Sequence, residues 1–255
     1  MFHISMRRLL MTTALVLPLP VLAQDAALVL GNERYEQLDR VNRADDVLRA
    51  VDRLEALGFD VFSRANGRVD ALKDLAAAFQ VQSDDADRLV VALSGHFVTD
   101  GTRTWLLSAE STEPDLFTVD DSGLSLDSVL QILALRPGKA VLLLGAADPD
   151  DLDMDDSGLR AGVGTMEIPQ GVTLIRTSPS VAASVLSGIL TEPEAEIGRN
   201  LASNSALLLD GYVPIDWQLM PNVVIVEPTV APTGPTESDL NAEAALWDRT
   251  TDADT

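Results

Sequence analysis

The sequence predicts an α/β fold in which a mostly parallel sheet is flanked by helices on both faces, a three-layer sandwich. Two observations carry this prediction. Short runs that are apolar at every position, such as Ala26-Ala27-Leu28-Val29-Leu30 and Leu89-Val90-Val91-Ala92-Leu93, mark strands buried on both faces. Between them stand segments whose apolar residues recur every three or four positions, the pattern of an amphipathic helix. Strand, helix, strand in that order imposes parallel pairing through right-handed crossovers.

The elements follow in sequence. Residues 26–30 form the first strand, ended by Gly31-Asn32. Val47, Leu48, Val51, Leu54 and Leu57 space a helix over 44–57, with Gly58 as its stop. A second strand at 59–62 leads through the Asn66-Gly67 turn to a helix marked by Val69, Leu72, Leu75, Ala76 and Phe79. A third strand follows at 89–93 and a short accessory strand at 104–107. Leu126, Val129, Leu130 and Leu133 then mark a helix with Ser125 at its cap. The core strands at 141–144 and 172–175 precede a helix over 181–190, and 223–226 reads as a last strand.

Composition restricts function. With 18 Lys+Arg against 40 Asp+Glu, the chain has a formal charge of −22. Nucleic acids and anionic membrane surfaces are held by clustered cations, so both are excluded as partners. At 46% apolar the chain is too hydrophobic for a disordered acidic protein, and one domain of roughly 200 residues is expected. There is no cysteine. Disulfides, thiolate metal sites and thiol nucleophiles are therefore all absent.

The ends of the chain read differently from its middle. Arg7-Arg8, the apolar stretch 9–19 and Val21-Leu22-Ala23 have the pattern of a cleaved secretory signal over 1–23. The apolar stretch is shorter than the roughly 20 residues an anchor needs, so no membrane anchor is expected after cleavage. Export to the periplasm or the extracellular space follows. The folded domain is expected over 24–226. Residues 227–255 then form a linker rich in Pro and Thr, with a short acidic tail.

In parallel sheets, function sits at the carboxyl ends of the strands. Ser94-Gly95-His96-Phe97, Gly145-Ala146-Ala147-Asp148 and Arg176-Thr177-Ser178-Pro179 stand at three such exits. His96 is the histidine outside the leader, and at a strand exit it has the chemistry of a general base.

Ala27-Leu28-Val29-Leu30-Gly31-Asn32-Glu33-Arg34-Tyr35, the helix entered near Asp45 and Asp46, Asp87 before the third strand, and Ser94-Gly95-His96 together resemble the caspase-like cysteine peptidases, in particular bacterial caspase-domain proteins related to metacaspases. The resemblance runs from about residue 26 to 226. It implies that His96 is the family's catalytic histidine. It also implies that Gly95, Phe97, Gly145, Thr177 and Ser178 line a substrate cleft. The nucleophile of caspases lies about 50 residues beyond the histidine, and Ala147 stands 51 residues after His96.

Three departures from the family pattern bear on activity. Ala147 offers a methyl group where a thiolate must attack. Phe97 replaces the glycine that follows the histidine, which places a ring where the oxyanion would be held. Gly145 replaces the aspartate that receives a basic substrate side chain in metacaspase-type relatives.

Two function classes follow: a non-catalytic domain that binds a peptide or protein, including a catalytic paralogue, or a hydrolase that uses a metal or an unorthodox nucleophile such as Ser94, Ser157 or Ser178. No cofactor is expected. Asp148, Asp150, Asp151, Asp153, Asp155 and Asp156 crowd one loop, but the calcium-loop pattern beginning at Asp153 meets Gly164 where a bidentate Glu is required. The loop is therefore read as a solvated acidic run without a metal site.

Overall fold

The computed structural model describes residues 25–154, 157–192, 197–214 and 219. All lie within the first compact unit, Met1–Pro221. The second unit, Asn222–Thr255, lies outside the described residues, as do the leader and the expected strand at 223–226.

The strands are β1 (Asp25–Gly31), β2 (Phe59–Ala65), β3 (Leu89–Gly95), β4 (Phe97–Thr99), β5 (Thr104–Leu107), β6 (Gly123–Ser125), β7 (Ala140–Ala146), β8 (Arg160–Ala161), β9 (Val172–Thr177) and β10 (Leu208–Gly211). The helices are α1 (Val51–Ala56), α2 (Val69–Ser83), α3 (Val119–Ser122), α4 (Leu126–Leu133), α5 (Pro179–Val185) and α6 (Ile197–Ala202). A 3₁₀ segment, Ala44–Ala50, leads into α1, and a π segment, Leu186–Leu190, extends α5. Ser125 stands at the start of α4, but its side chain makes no capping bond.

The main sheet has the order β10-β9-β7-β3-β1-β2. Every pair is parallel except the edge strand β10, which runs antiparallel to β9. Strand alternation divides the interior into two cores. Leu28, Leu30, Val91, Leu93, Leu142 and Leu144 face α2 and α4, where Leu72, Phe79, Val129 and Leu133 meet them. Ala27, Val29, Val90, Ala92, Val141, Leu143 and Ile175 face the opposite helices through Val47, Leu54, Ala182 and Leu186. Runs that are apolar at every position are required because both faces are covered. The three-layer sandwich expected from the sequence is thus present. Among the described residues, no helix is long and apolar enough to cross a membrane.

A second, antiparallel sheet of order β6-β5-β4-β8 grows beyond the exit of β3, where the sequence predicts only the strand at 104–107. The β4–β5 turn is tied by the Asp100 carboxylate, which accepts the N–H groups of Thr102 and Arg103. Those bonds hold its carboxyl well below the usual carboxylate range.

Candidate functional site

The parallel register brings the strand exits level. Gly31 pairs with Ser94, Gly95 with Ala146, and Gly145 with Thr177. His96 therefore leaves the sheet directly beside Ala147, whose backbone N–H donates to the Gly95 carbonyl at 3.0 Å. The sequence-predicted histidine and nucleophile positions are neighbours on adjacent strands.

Gly95 is required by its surroundings. Its φ is +150°, and a Cβ there would lie 2.6 Å from the Tyr35 hydroxyl. That hydroxyl accepts the backbone N–H of His96 at 2.9 Å, and the two rings pack with centroids 4.9 Å apart. Burial holds the Tyr35 phenol well above its ordinary range, so it stays neutral.

The His96 side chain is held by residues 32–43, which link β1 to the 3₁₀ segment. Its Nε2 lies 2.9 Å from the carbonyl oxygen of Asp39. A carbonyl only accepts, so Nε2 carries the proton and Nδ1 is the basic nitrogen. Burial lowers the imidazole pKa, while the Asp39 carbonyl and the charges of Asp151 and Asp39 act against that shift. His96 is 1% exposed. Ala147, at 9%, packs with Val41, Ala44 and Tyr35, so the same connection covers the position where the sequence leads one to expect the nucleophile.

The connection is pinned at several points. The Glu33 carboxylate, buried in an otherwise charged segment, pairs with Arg40 and accepts the backbone N–H of Arg43 at 3.0 Å. Asn32 donates to the Leu107 carbonyl at 2.8 Å and accepts the Gly67 N–H at 2.9 Å. Asn66, in the left-handed region at φ 51°, accepts the N–H groups of Glu33 and Arg34.

Two of the expected cleft residues are enclosed in this fold. The Phe97 ring does not enter the site. It is 2% exposed and belongs to the core cluster that contains Leu93, Leu106 and Leu124. Position 97 begins a strand of the second sheet, and the alternation that turns Val98 toward Trp105 turns Phe97 into the main core. At Gly145 the fold leaves no room for a side chain. A Cβ there would meet Ser94 Oγ at 2.7 Å, Ala182 Cβ at 2.9 Å and Pro179 Cα at 3.1 Å, so α5 occupies the space an aspartate would need.

Thr177 and Ser178 do lie at the exit of β9. Thr177 Oγ1 donates to the Ala206 carbonyl at 2.8 Å, and Ser178 opens α5 without capping it. Two strand spacings, about 10 Å, separate β9 from β3, so Ser178 is not placed beside His96. The Ser94 hydroxyl donates to Gly145 and that of Ser157 to Met154. In the acidic loop, Asp148 accepts the N–H of Asp150 at 3.1 Å. Asp155 and Asp156 lie outside the described residues. Among the described residues, no three His, Asp or Glu side chains are grouped as cation ligands.

Sequence reasoning assigned no role to Asp39, Glu33 or Arg176. Asp39 acts through its backbone carbonyl, which any residue supplies, so no sequence signal marks it. A cavity of about 240 Å³ near the end of β9 is lined by Met166, Ile168, Leu174, Arg176 and Asp210. Arg176 pairs with Asp210 at 2.6 Å, and its Nε is buried without a hydrogen-bond partner among the described residues.

A level parallel sheet that sets a carbonyl-anchored histidine beside the next strand's exit defines an α/β protein of the caspase-like class, here with alanine at the second position. A family model described as a caspase domain matches residues 24–208, and the chain belongs to that family. No curated protein matches. Among solved structures, pro-sf-caspase-1 is 17% identical over 68% of each chain, with a TM-score of 0.38. The Drosophila initiator caspase Dronc is 10% identical over 77% of this chain and 82% of its own, with a TM-score of 0.47.

Proposed function

We propose that this protein is an exported caspase-like domain without peptidase activity, which works by binding a peptide or a protein. One observation carries the reading: Ala147, at the position expected for the nucleophile, lies on the strand beside His96, in a chain that has no cysteine. Covalent catalysis needs an activated nucleophile next to its base, and an alanine methyl has no electron pair to offer. The cover over His96 supports the same reading, because a substrate carbonyl would have to displace residues 32–43 to reach the ring.

Binding would use the cavity at Arg176, which combines apolar walls with an ion pair. A catalytic paralogue is one partner of the required kind. The leader pattern supports delivery to the periplasm or beyond.

A serine-reactive phosphonate probe tests the proposal against a hydrolase that uses a hydroxyl nucleophile. The purified protein should remain unlabelled. Stoichiometric labelling that disappears on His96→Ala would overturn the reading.

A further inference from the structure

We propose that residues 113–121 form a docking surface for a cationic amphipathic protein segment, with Phe117 as its anchor. Phe117 is 93% exposed and Leu116, beside it, 44%. An isolated exposed apolar residue needs no explanation, but this one is presented on a fixed turn. The Asp115 carboxylate accepts the N–H of Phe117 at 2.8 Å, the N–H of Thr118 at 3.0 Å and the Thr118 hydroxyl at 3.1 Å. Thr118 Oγ1 in turn accepts the N–H of Asp115 at 3.0 Å. On the carboxyl side Val119 is buried with Trp105, and on the amino side Leu116 leans on Gly158, its N–H on the Ser157 carbonyl at 3.3 Å. The backbone that carries Phe117 is thus ordered while the ring itself stays in water. Binding through it loses little conformational entropy.

The surroundings define the partner. Residues 113–121 include Glu113, Asp115, Asp120 and Asp121 and no Lys or Arg, and the one cation that reaches them in a hydrogen bond, Lys73 on the Asp120 carbonyl at 2.6 Å, leaves acidic groups in excess among the described residues. The adjoining loop adds the exposed Asp150, Asp151 and Asp153 against one exposed cation, Arg160. An aromatic anchor within a negative rim is complementary to an apolar stripe flanked by Lys and Arg, and charge complementarity of this kind sets both register and on-rate. Phe117 makes none of the contacts that hold His96, which come from Tyr35 and Asp39, so docking at Phe117 and reactivity at His96 are read out independently.

The test uses a labelled Leu/Lys peptide that forms an amphipathic helix, with an equally charged Ser/Lys peptide as control, read by fluorescence anisotropy in physiological salt. Saturable binding of the Leu/Lys peptide is expected, weakened at least tenfold by Phe117→Ala and retained by Phe117→Trp. Because the ring is solvated, Phe117→Ala should leave the Tm unchanged, which separates loss of docking from loss of fold. Absence of saturable binding, equal binding of the Ser/Lys peptide, or wild-type binding by Phe117→Ala would each overturn the proposal.

Discussion

Nε2 of His96 donates to the carbonyl oxygen of Asp39 across 2.9 Å, a contact between residues 57 positions apart in the chain. This bond holds the imidazole in one tautomer, with Nδ1 free, as a general base requires. On the proposed reading, His96 keeps the form of a base while Ala147 beside it offers nothing to activate. Residues 32–43 supply both the bond and the cover, so the device that orients His96 also secludes it.

The first prediction concerns pH. Burial lowers the His96 pKa in the fold relative to the unfolded chain. The unfolded state therefore takes up its proton first as pH falls through the ordinary imidazole range. The stability contributed by the neutral ring is complete above that range and is lost progressively below it. Urea denaturation at a series of pH values should show the wild type losing stability relative to His96→Asn between pH ~7 and ~5. Parallel pH profiles for the two proteins would contradict the assignment.

Gly145 carries a second prediction. Gly145→Asp forces a side chain into the space between Ser94, Ala182 and Pro179 and buries a carboxylate where the Ser94 hydroxyl, already donating to the carbonyl of residue 145, is the one polar side chain among these neighbours. A loss of about 2–4 kcal/mol is expected, read as a lower urea midpoint. Unchanged stability would mean that α5 yields and that an aspartate fits after all.

Glu33 tests the cover directly. Removing its carboxylate in Glu33→Ala frees Arg40 and the Arg43 N–H together, at a cost of about 1–3 kcal/mol. In the wild type His96 should resist diethylpyrocarbonate, since it is 1% exposed. In Glu33→Ala the ring should be modified at least several-fold faster, as read by mass spectrometry of the peptide that contains it. Equal rates would show that residues 32–43 stay closed without Glu33.

Legibility in the sequence followed the range of each interaction. β1, β3, β7 and β9 are evident because burial on both faces forces apolar residues at successive positions. The exits of those strands placed His96 and Ala147 together once the pairing was parallel. β4, β6 and β8 are two or three residues long, too short for any periodicity to register. The burial of Phe97 follows from the short strand that begins there, which the residue's identity does not announce. Gly145 read as a loss of function because nothing local reveals that Pro179 and Ala182 close on it. Glu33, Tyr35 and Asp39 act on His96 only through the path of a loop, which depends on tertiary contacts from Asn32 and Asn66.

The central claim is that the fold retains its base and lacks catalysis. Cleavage of Arg-, Lys- and Asp-directed peptide substrates by the wild type, Ala147→Cys and His96→Ala tests it most directly. Loss of a nucleophile alone lowers turnover by about 10⁶ in a coupled site, so the wild type should be indistinguishable from His96→Ala and from buffer. Ala147→Cys should also stay at background, because residues 32–43 still cover the introduced thiol. Substrate cleavage by the unmodified protein that is abolished by His96→Ala would contradict the account.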